Sequence, residues 1–72
     1  MPLASIKVIE GVFTDAEKHQ MIENVTEAMI AVEGEPLREK TLVIIEETKS
    51  GNWAVGGQSL STEQVTNLRI PS

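Results

Sequence analysis

Apolar and polar residues alternate along residues 3–9, near the start of the chain. Ala4, Ile6 and Val8 give one face that is wholly apolar, while the positions between them are mixed in polarity. A repeat of two is the period of a half-buried strand, and the Glu-Gly pair that follows ends the run. We therefore predict a first strand over residues 3–9.

The next segment has the period and the end signals of an α-helix over residues 15–33. Thr14 and Glu17 have the spacing of a capping box, in which each residue binds the backbone of the other. Apolar residues then recur at helical spacing as one stripe, comprising Met21, Ile22, Val25, Ala28, Met29 and Val32. Gly34 is expected to end the helix, and Pro36 prevents it from resuming.

A second strand is predicted at residues 41–48, because positions 42–45 are all apolar. Such a run is typical of a strand that is covered on both faces, as in a parallel sheet. Strand, helix and strand form a β-α-β unit with a right-handed crossover. Residues 53–57 then predict a short hairpin with glycines at its turn, and Ser61 can cap one short helical turn. The predicted fold class is α+β, built on this β-α-β unit with a parallel two-stranded sheet.

This unit leaves apolar surface uncovered, which predicts self-association. The 72 residues predict a single domain, 1–72, in which residues 61–72 are a C-terminal tail. A core of this size usually needs disulfides, a metal or a partner, yet the chain has no cysteine and one histidine, His19. One helix covers one face of a sheet. We therefore expect a second copy to extend the sheet and to cover its open face.

Charge and composition narrow the range of partners. The chain has 6 basic and 11 acidic residues, a net charge of −5 and a pI near 4.7. This balance argues against binding to nucleic acid or to an anionic membrane surface, both of which need basic patches. The sequence has no apolar run long enough to span a membrane and no signal-peptide pattern, so we expect a cytoplasmic protein.

Four features, in this order, resemble the 4-oxalocrotonate tautomerase family. They are Met1-Pro2 leading directly into a strand, Ile9-Glu10-Gly11 at its end, the capped helix, and the segment Gly51-x-Trp53-x-x-Gly56-Gly57. The resemblance covers roughly residues 2–60. It implies the tautomerase superfamily fold, assembly as a homohexamer that is a trimer of dimers, and chemistry that needs neither a metal nor an organic cofactor.

The resemblance also implies a catalytic base. In the family the initiator methionine is removed and the exposed proline takes the proton, a role that falls here on Pro2. An ordinary α-amino group titrates at about 7.7–8.0. Apolar surroundings or a nearby cation lower this pKa and give a base suited to neutral pH. Trp53 is implied as a wall of the pocket and the main-chain N–H near Ile9 as a substrate contact. The implied reaction is keto–enol proton transfer on a small-molecule 2-hydroxydienoate or related enol acid.

Two positions depart from the family pattern. The best-known members bind a dicarboxylate with two arginines, and Val12 and Leu42 stand at those positions here. We predict Arg38 as the substrate-binding cation in their place. The other candidates are Lys40, Arg69 from the tail of a neighbouring subunit, and Lys7. Charge-assisted hydrogen bonds are worth about 1.5–3 kcal/mol each, so their loss disfavours a dianion and favours a more apolar or monoanionic enol acid.

Three other functions are compatible with the same residues. The chain can be one subunit of a mixed hexamer in which a different chain supplies the missing arginines. It can be a non-catalytic member of the family. It can also be a dehalogenase or hydratase of unsaturated acids, in which a protonated Pro2 acts as an acid.

Overall fold

The structure is a computed structural model that describes residues 2–70; Met1, Pro71 and Ser72 lie outside the described residues, and so does the predicted removal of Met1. The elements are β1 (Leu3–Ile9), α1 (Asp15–Glu33), a 3₁₀ helix (Glu35–Lys40), β2 (Leu42–Thr48), β3 (Trp53–Val55), β4 (Gln58–Leu60) and α2 (Thr62–Arg69). No helix of this part of the chain is long and apolar enough to cross a bilayer.

β1 and β2 form the predicted parallel sheet. Their register runs from Leu3 opposite Leu42 to Ile9 opposite Thr48, and α1 makes the crossover between them. The two short strands β3 and β4 form a separate antiparallel hairpin. The predicted α+β fold class is confirmed, including the β-α-β unit and the C-terminal hairpin.

The capping box predicted for α1 is present. The Thr14 side chain accepts a hydrogen bond from the Glu17 N–H at 3.1 Å, and the Thr14 N–H donates to the Glu17 carboxylate at 2.9 Å. Gly34 ends the helix with a positive φ of 103°. Pro36 does prevent the α-helix from continuing, but the chain then forms a 3₁₀ helix that the sequence analysis did not predict. N–H groups in the first turn of a helix have no acceptor within the helix. Proline, which lacks an N–H group, is therefore tolerated there.

The predicted apolar stripe of α1 is correct only in part. Ile30, which was left out of it, is the buried residue of the helix, whereas Val32 is 91% exposed. The helix carries apolar residues on two adjoining faces, and the sheet covers only one of them. The second face, with Val25, Ala28, Met29 and Val32, lines a shallow groove on the outside of the chain.

Burial in the sheet is uneven. Val8 and Ile9, at the end of β1, are buried, and Val12 just beyond them is buried as well. On the face away from α1, Leu42 and Ile44 are exposed. The run of apolar residues in β2 predicted cover on both faces, and within this chain α1 supplies it on one face only.

α2 is longer than the single helical turn that Ser61 predicted. The cap itself is as expected, since Ser61 and Gln64 form a second capping box. The helix begins against the loop that follows β1, where the Thr62 hydroxyl donates to the Glu10 carbonyl at 2.5 Å. This contact explains Gly11, which has a positive φ of 80° and on which a Cβ would lie 3.0 Å from the Thr62 methyl group.

Candidate active site at the two ends of the first strand

A cavity of about 260 Å³ lies at the C-terminal end of β1. It is lined by Lys7, Val8, Ile9, Phe13, Trp53 and Val65. These residues come from β1, the loop after it, the hairpin and α2, so four separate parts of the chain meet here. Two of the predicted site residues, Ile9 and Trp53, are thereby brought together.

Ile9 presents its side chain and its amide to different surroundings. The side chain is only 4% exposed and belongs to the core. The N–H of the next residue, Glu10, donates to the Thr48 carbonyl of β2 at 2.8 Å. Because successive N–H groups of a strand point to opposite sides, the Ile9 N–H points toward the outer edge of β1. An amide at a free strand edge is available to a ligand or to another chain.

Trp53 is held at the cavity by the hairpin. It is the first residue of β3 and lies opposite Leu60 of β4. The two-residue turn between these strands is Gly56-Gly57, with φ values of 58° and 85°. Two positive φ angles in succession define the turn type that fits the twist of a tight hairpin, and glycine adopts them without strain. The turn thereby fixes the half-buried indole beside Ile9.

Pro2 lies at the opposite end of β1 from this cavity. Its carbonyl accepts a hydrogen bond from the Leu42 N–H at 2.9 Å, which fixes it at the point where the two parallel strands begin. The residue is half-buried. Seven residue steps separate it from Ile9, and at about 3.3 Å per step this is about 23 Å. Pro2 and the Ile9–Trp53 cavity of one chain are therefore not one site.

Arg38 lies at the Pro2 end of the sheet, in the 3₁₀ helix that leads into β2. Its guanidinium donates to both oxygens of Glu27, at 2.6 and 3.1 Å, and to both oxygens of Glu35, at 2.6 and 3.1 Å. These hydrogen bonds raise the pKa of Arg38 and lower the pKa of each of the two carboxyl groups. Arg38 therefore binds two internal carboxylates and is not brought to the cavity with Ile9 and Trp53.

Arg69 reaches the loop after β1 of its own chain, whereas the sequence analysis placed it on a neighbour. Its guanidinium donates to the Val12 carbonyl at 3.0 Å and to the Glu17 carboxylate at 2.5 Å, and it lies over the Phe13 ring at 4.6 Å from the centroid. The hydrogen bond from Arg69, followed by that from the Thr14 backbone, lowers the pKa of Glu17 to about 2. Arg69 thus fastens the end of α2 to the capped start of α1.

Three of the cavity residues, Val8, Phe13 and Val65, were not predicted as site residues, although Val8 was placed on the apolar face of the first strand. Phe13 is one of only two aromatic residues in the chain and directly follows the first strand's Glu-Gly-Val segment, which is a usable signal. Val65 gave no signal, because it lies in the tail where one helical turn was expected. Lys7 was among the candidate cations, and it does line the cavity.

Two other grooves of the described chain contain none of the four predicted site residues. A groove of about 400 Å³ runs between the start of α1 and β2, where Lys18 lies between Asp15 and Glu47 at 3.3 and 3.1 Å. No group of three His, Cys, Asp or Glu side chains with metal-binding geometry occurs among residues 2–70. His19 is exposed on α1.

Comparison with known proteins identifies relatives of this chain. A 2-hydroxymuconate tautomerase of Bacillus subtilis is 41% identical over 61 residues, which are 85% of this chain and 95% of that protein. A 2-hydroxymuconate tautomerase of Pseudomonas putida is 39% identical over 59 residues, 82% of this chain and 90% of that protein. A 4-oxalocrotonate tautomerase isozyme from Methylibium petroleiphilum superposes with a TM-score of 0.72 at 38% identity, covering 89% of this chain and 97% of that one.

The family model that matches this chain is described as a tautomerase enzyme and spans residues 2–63. The match begins at Pro2, includes the sheet, α1 and the hairpin, and ends just inside α2. It covers far more than half of the chain, and the solved relatives share its fold. The chain therefore belongs to the tautomerase family, and its fold is that of the 4-oxalocrotonate tautomerases.

Proposed function

We propose that the chain is an isomerase that moves a proton between the oxygen and the carbon of an enol acid, with the nitrogen of Pro2 as the base. The observation that carries the proposal is the position of Pro2. It is half-buried immediately before β1, its carbonyl accepts a hydrogen bond from the Leu42 N–H, and it is the first residue of the family match. A base is useful only where its position is fixed, and this hydrogen bond supplies that.

The chemistry requires that Met1 be removed, because an acylated proline is an amide without a basic lone pair. Once exposed, the proline is a secondary amine. An α-amino group has a pKa of about 7.7–8.0 in water, and apolar surroundings disfavour its charged form. Leu3 and Leu42 adjoin Pro2 in the sheet, so a second chain packed there would lower the pKa toward neutrality. General base catalysis is most effective when the pKa lies near the working pH.

We further propose that the complete site forms between protomers. Pro2 and the cavity with Ile9 and Trp53 lie at opposite ends of β1, about 23 Å apart. In the described chain β1 pairs only with β2, so its other edge is open. If that edge pairs in the antiparallel sense with a second β1, the start of one strand comes to the end of the other. Pro2 of one protomer then faces the Ile9 amide and the cavity of its partner.

Exposed apolar surface supports such an assembly. Leu42 and Ile44 lie exposed on the open face of the sheet, Leu3 is 56% exposed beside them, and Val32 is exposed on the outer face of α1. Burial of apolar surface contributes roughly 25 cal/mol per Å², so faces of this kind favour association. The assembly we propose is the homohexamer, a trimer of dimers, that the family resemblance predicts.

The proposed reaction proceeds in two proton transfers. The Pro2 nitrogen takes the proton of the enol hydroxyl, and the electron pair of that O–H bond becomes the C=O double bond. The electrons of the carbon–carbon double bond shift to the distal carbon, which takes the proton back from the prolinium. The Ile9 amide at the strand edge can donate a hydrogen bond to an oxygen that becomes negative during the transfer. The half-buried Trp53 keeps water from the reacting atoms.

The test compares the parent protein with Pro2→Ala, using phenylenolpyruvate and 2-hydroxymuconate as substrates. Intact mass spectrometry first establishes that Met1 is absent from both proteins. We expect kcat/KM to fall by about 10²–10⁴ in Pro2→Ala, the usual contribution of a positioned general base. Pro36→Ala, which removes a proline from the 3₁₀ helix, is the matched control and should retain the parental rate.

Two results would reject the proposal. Equal rates for the parent and Pro2→Ala would exclude Pro2 as the base. A parent that lacks Met1 and converts neither substrate would favour the non-catalytic or mixed-subunit alternative instead.

A further inference from the structure

Within residues 2–70, Lys7, Lys40 and Lys49 form no ion pair with a carboxylate, and of these three lysines Lys7 is the one that lines the cavity beside Trp53. Lys18, Arg38 and Arg69 are each paired with at least one carboxylate. Within residues 2–70 no carboxylate lies within 4.0 Å of the Lys7 ammonium group. Glu46 is its neighbour across the strands, but the Glu46 carboxylate instead accepts a hydrogen bond from the Ser5 hydroxyl at 2.9 Å. Lys7 therefore has capacity for an external anion.

The surroundings of Lys7 specify what that anion must look like. Its side chain lines the same cavity as Phe13, Trp53 and Val65, which are apolar or aromatic. Among the lining residues it is the one that carries a charge. The cavity, at about 260 Å³, is smaller than the roughly 300–1,000 Å³ of sites that hold drug-sized ligands. One charge and an apolar wall match a compact acid with a single carboxylate and an apolar body.

One wall of this cavity is supplied by α2, most of which lies beyond the range of the family model. Val65 faces the cavity from the middle of this helix, while Leu68 on the same helix is 80% exposed. The helix is fixed at its start by the Thr62–Glu10 hydrogen bond and at its end by Arg69, which binds the Val12 carbonyl and covers Phe13. Val65 is therefore held at the cavity by a helix that is anchored at both of its ends.

We propose that this cavity binds the substrate as an apolar monocarboxylate, with Lys7 holding the carboxylate and Val65 limiting the size of the apolar body. The inference rests on the proposed function, since it names the substrate class of that same site. A second carboxylate at the far end of the molecule would lie against Phe13, Trp53 and Val65. Arg69, which lies over Phe13, is already bound to Glu17 and to the Val12 carbonyl. A buried anion there would lack a partner, which is unfavourable, so the cavity selects against dianions.

Binding of an unreactive acid tests Lys7 without reliance on turnover. The ligand is 3-phenylpropionate, and the signal is the fluorescence of Trp53, the one tryptophan of the chain. We expect Lys7→Gln to weaken binding by about 10- to 100-fold, as for loss of a hydrogen bond to a charged group. Lys49→Gln removes the same charge from an exposed residue that does not line the cavity, and this variant should bind as the parent does.

The uncharged 3-phenylpropanamide serves as the matched ligand. It should bind the parent and Lys7→Gln equally, which also establishes that the variant retains its cavity. Unchanged affinity of Lys7→Gln for the acid would overturn the role of Lys7. An equal loss of affinity for acid and amide would also overturn it, because the lysine would then act on the shape of the cavity and not on the carboxylate.

The size limit is tested by Val65→Ala against Leu68→Ala. Removing two methyl groups from the wall should lower the Kd of 2-naphthylacetate relative to that of 3-phenylpropionate by roughly 3- to 10-fold. Leu68→Ala should leave this ratio unchanged. A general loosening of the fold would weaken both ligands together and leave the ratio as it was, and that outcome would refute the proposal for Val65.

These experiments separate the two proposals. If Pro2→Ala keeps the parental rate while Lys7→Gln binds 3-phenylpropionate more weakly, Pro2 is not the base but the role of Lys7 in binding the anion is supported. If Pro2→Ala is inactive and Lys7→Gln binds the acid normally, the base stands and the substrate class does not.

Discussion

The two ends of β1 differ in how much of their surroundings the single chain supplies. At the C-terminal end, Ile9 is 4% exposed and is enclosed by the hairpin, the loop after β1 and α2. At the N-terminal end, Leu3 is 56% exposed and lies beside the exposed Leu42. Both ends belong to one short strand, so local sequence preference does not explain the contrast.

The difference indicates a division between binding and chemistry. The C-terminal end of β1 forms a cavity that is lined by Lys7, a cation without a carboxylate partner in the described chain. The N-terminal end carries Pro2, which we propose as the base. In the assembly that we propose, each protomer provides a place for the substrate and another protomer supplies the base. This arrangement accounts for the exposure of Leu3 and Leu42 beside Pro2.

The strongest test of this division is complementation between two inactive variants. Pro2→Ala lacks the proposed base, and Trp53→Ser lacks a wall of the cavity. When equal amounts are unfolded and refolded together, we expect about one quarter of parental activity, because the proline and the tryptophan of each site come from different protomers and each has an even chance of being native. The measurement is the initial rate with phenylenolpyruvate.

The control for this mixture is Pro2→Ala refolded with a double variant that carries both substitutions. No protomer then supplies a native Pro2, so no activity should appear. Activity no greater than the sum of the separate variants in the first mixture would mean that each site lies within one chain, contrary to the proposed assembly.

A smaller difference between the two ends of β1 is expected in the free energy of unfolding. Ile9→Ala removes a buried side chain and should lower the free energy of unfolding by about 2–5 kcal/mol. Leu3→Ala removes a side chain that is exposed in the chain, so its effect within a protomer should stay within about 0.5 kcal/mol. Its main effect should instead be a weaker association of protomers, which sedimentation equilibrium measures. Equal effects of the two substitutions on protomer stability would contradict the contrast.

The smallest expected effect is a pH-dependent change in stability on substitution of Glu17, which binds Arg69 near the C-terminal end of β1. Its pKa is about 2 in the folded chain against 4.5 ordinarily, so the folded state binds fewer protons between these values. The resulting stabilisation is complete above about pH 4.5 and is lost as the pH falls through 2. Urea midpoints of the parent and Glu17→Gln should therefore differ at pH 6 and converge at pH 2.

Glu23→Gln, an exposed position on α1, controls for the change in net charge. Its midpoint should follow that of the parent at both pH values. A difference between the parent and Glu17→Gln that persists unchanged at pH 2 would show that the stabilisation does not come from the ionised Glu17–Arg69 pair.

The local features of the fold could be predicted because each depends on neighbouring residues. The alternation in β1, the Thr14–Glu17 capping box and the glycine turn of the hairpin each specify an element without reference to the rest of the chain. The apolar stripe of α1 failed at Ile30 for the opposite reason. Which of two apolar helix faces turns inward depends on where the sheet lies, and that is a tertiary property.

The candidate site could be predicted only as a set of residues. Ile9 and Trp53 were named from the resemblance. Their separation from Pro2 is evident only in the three-dimensional structure, where Pro2 and Ile9 lie at opposite ends of the extended strand β1. The destinations of the cations depend on long-range pairing. Arg38 is bound by Glu27 and Glu35, and Arg69 by Glu17, 52 positions away in the sequence. Spacing along the chain carries no information of that kind.

The location of α2 has an evolutionary consequence. Its contacts with the rest of the chain, through Thr62, Val65 and Arg69, all fall at the cavity end of β1. If the cavity binds the substrate as proposed, substitutions in α2 would change which acids it accepts without altering the end of β1 that carries Pro2, the proposed base. Selectivity and reactivity would then diversify as separate modules, and paralogues with an unaltered amino-terminal half could serve different metabolites.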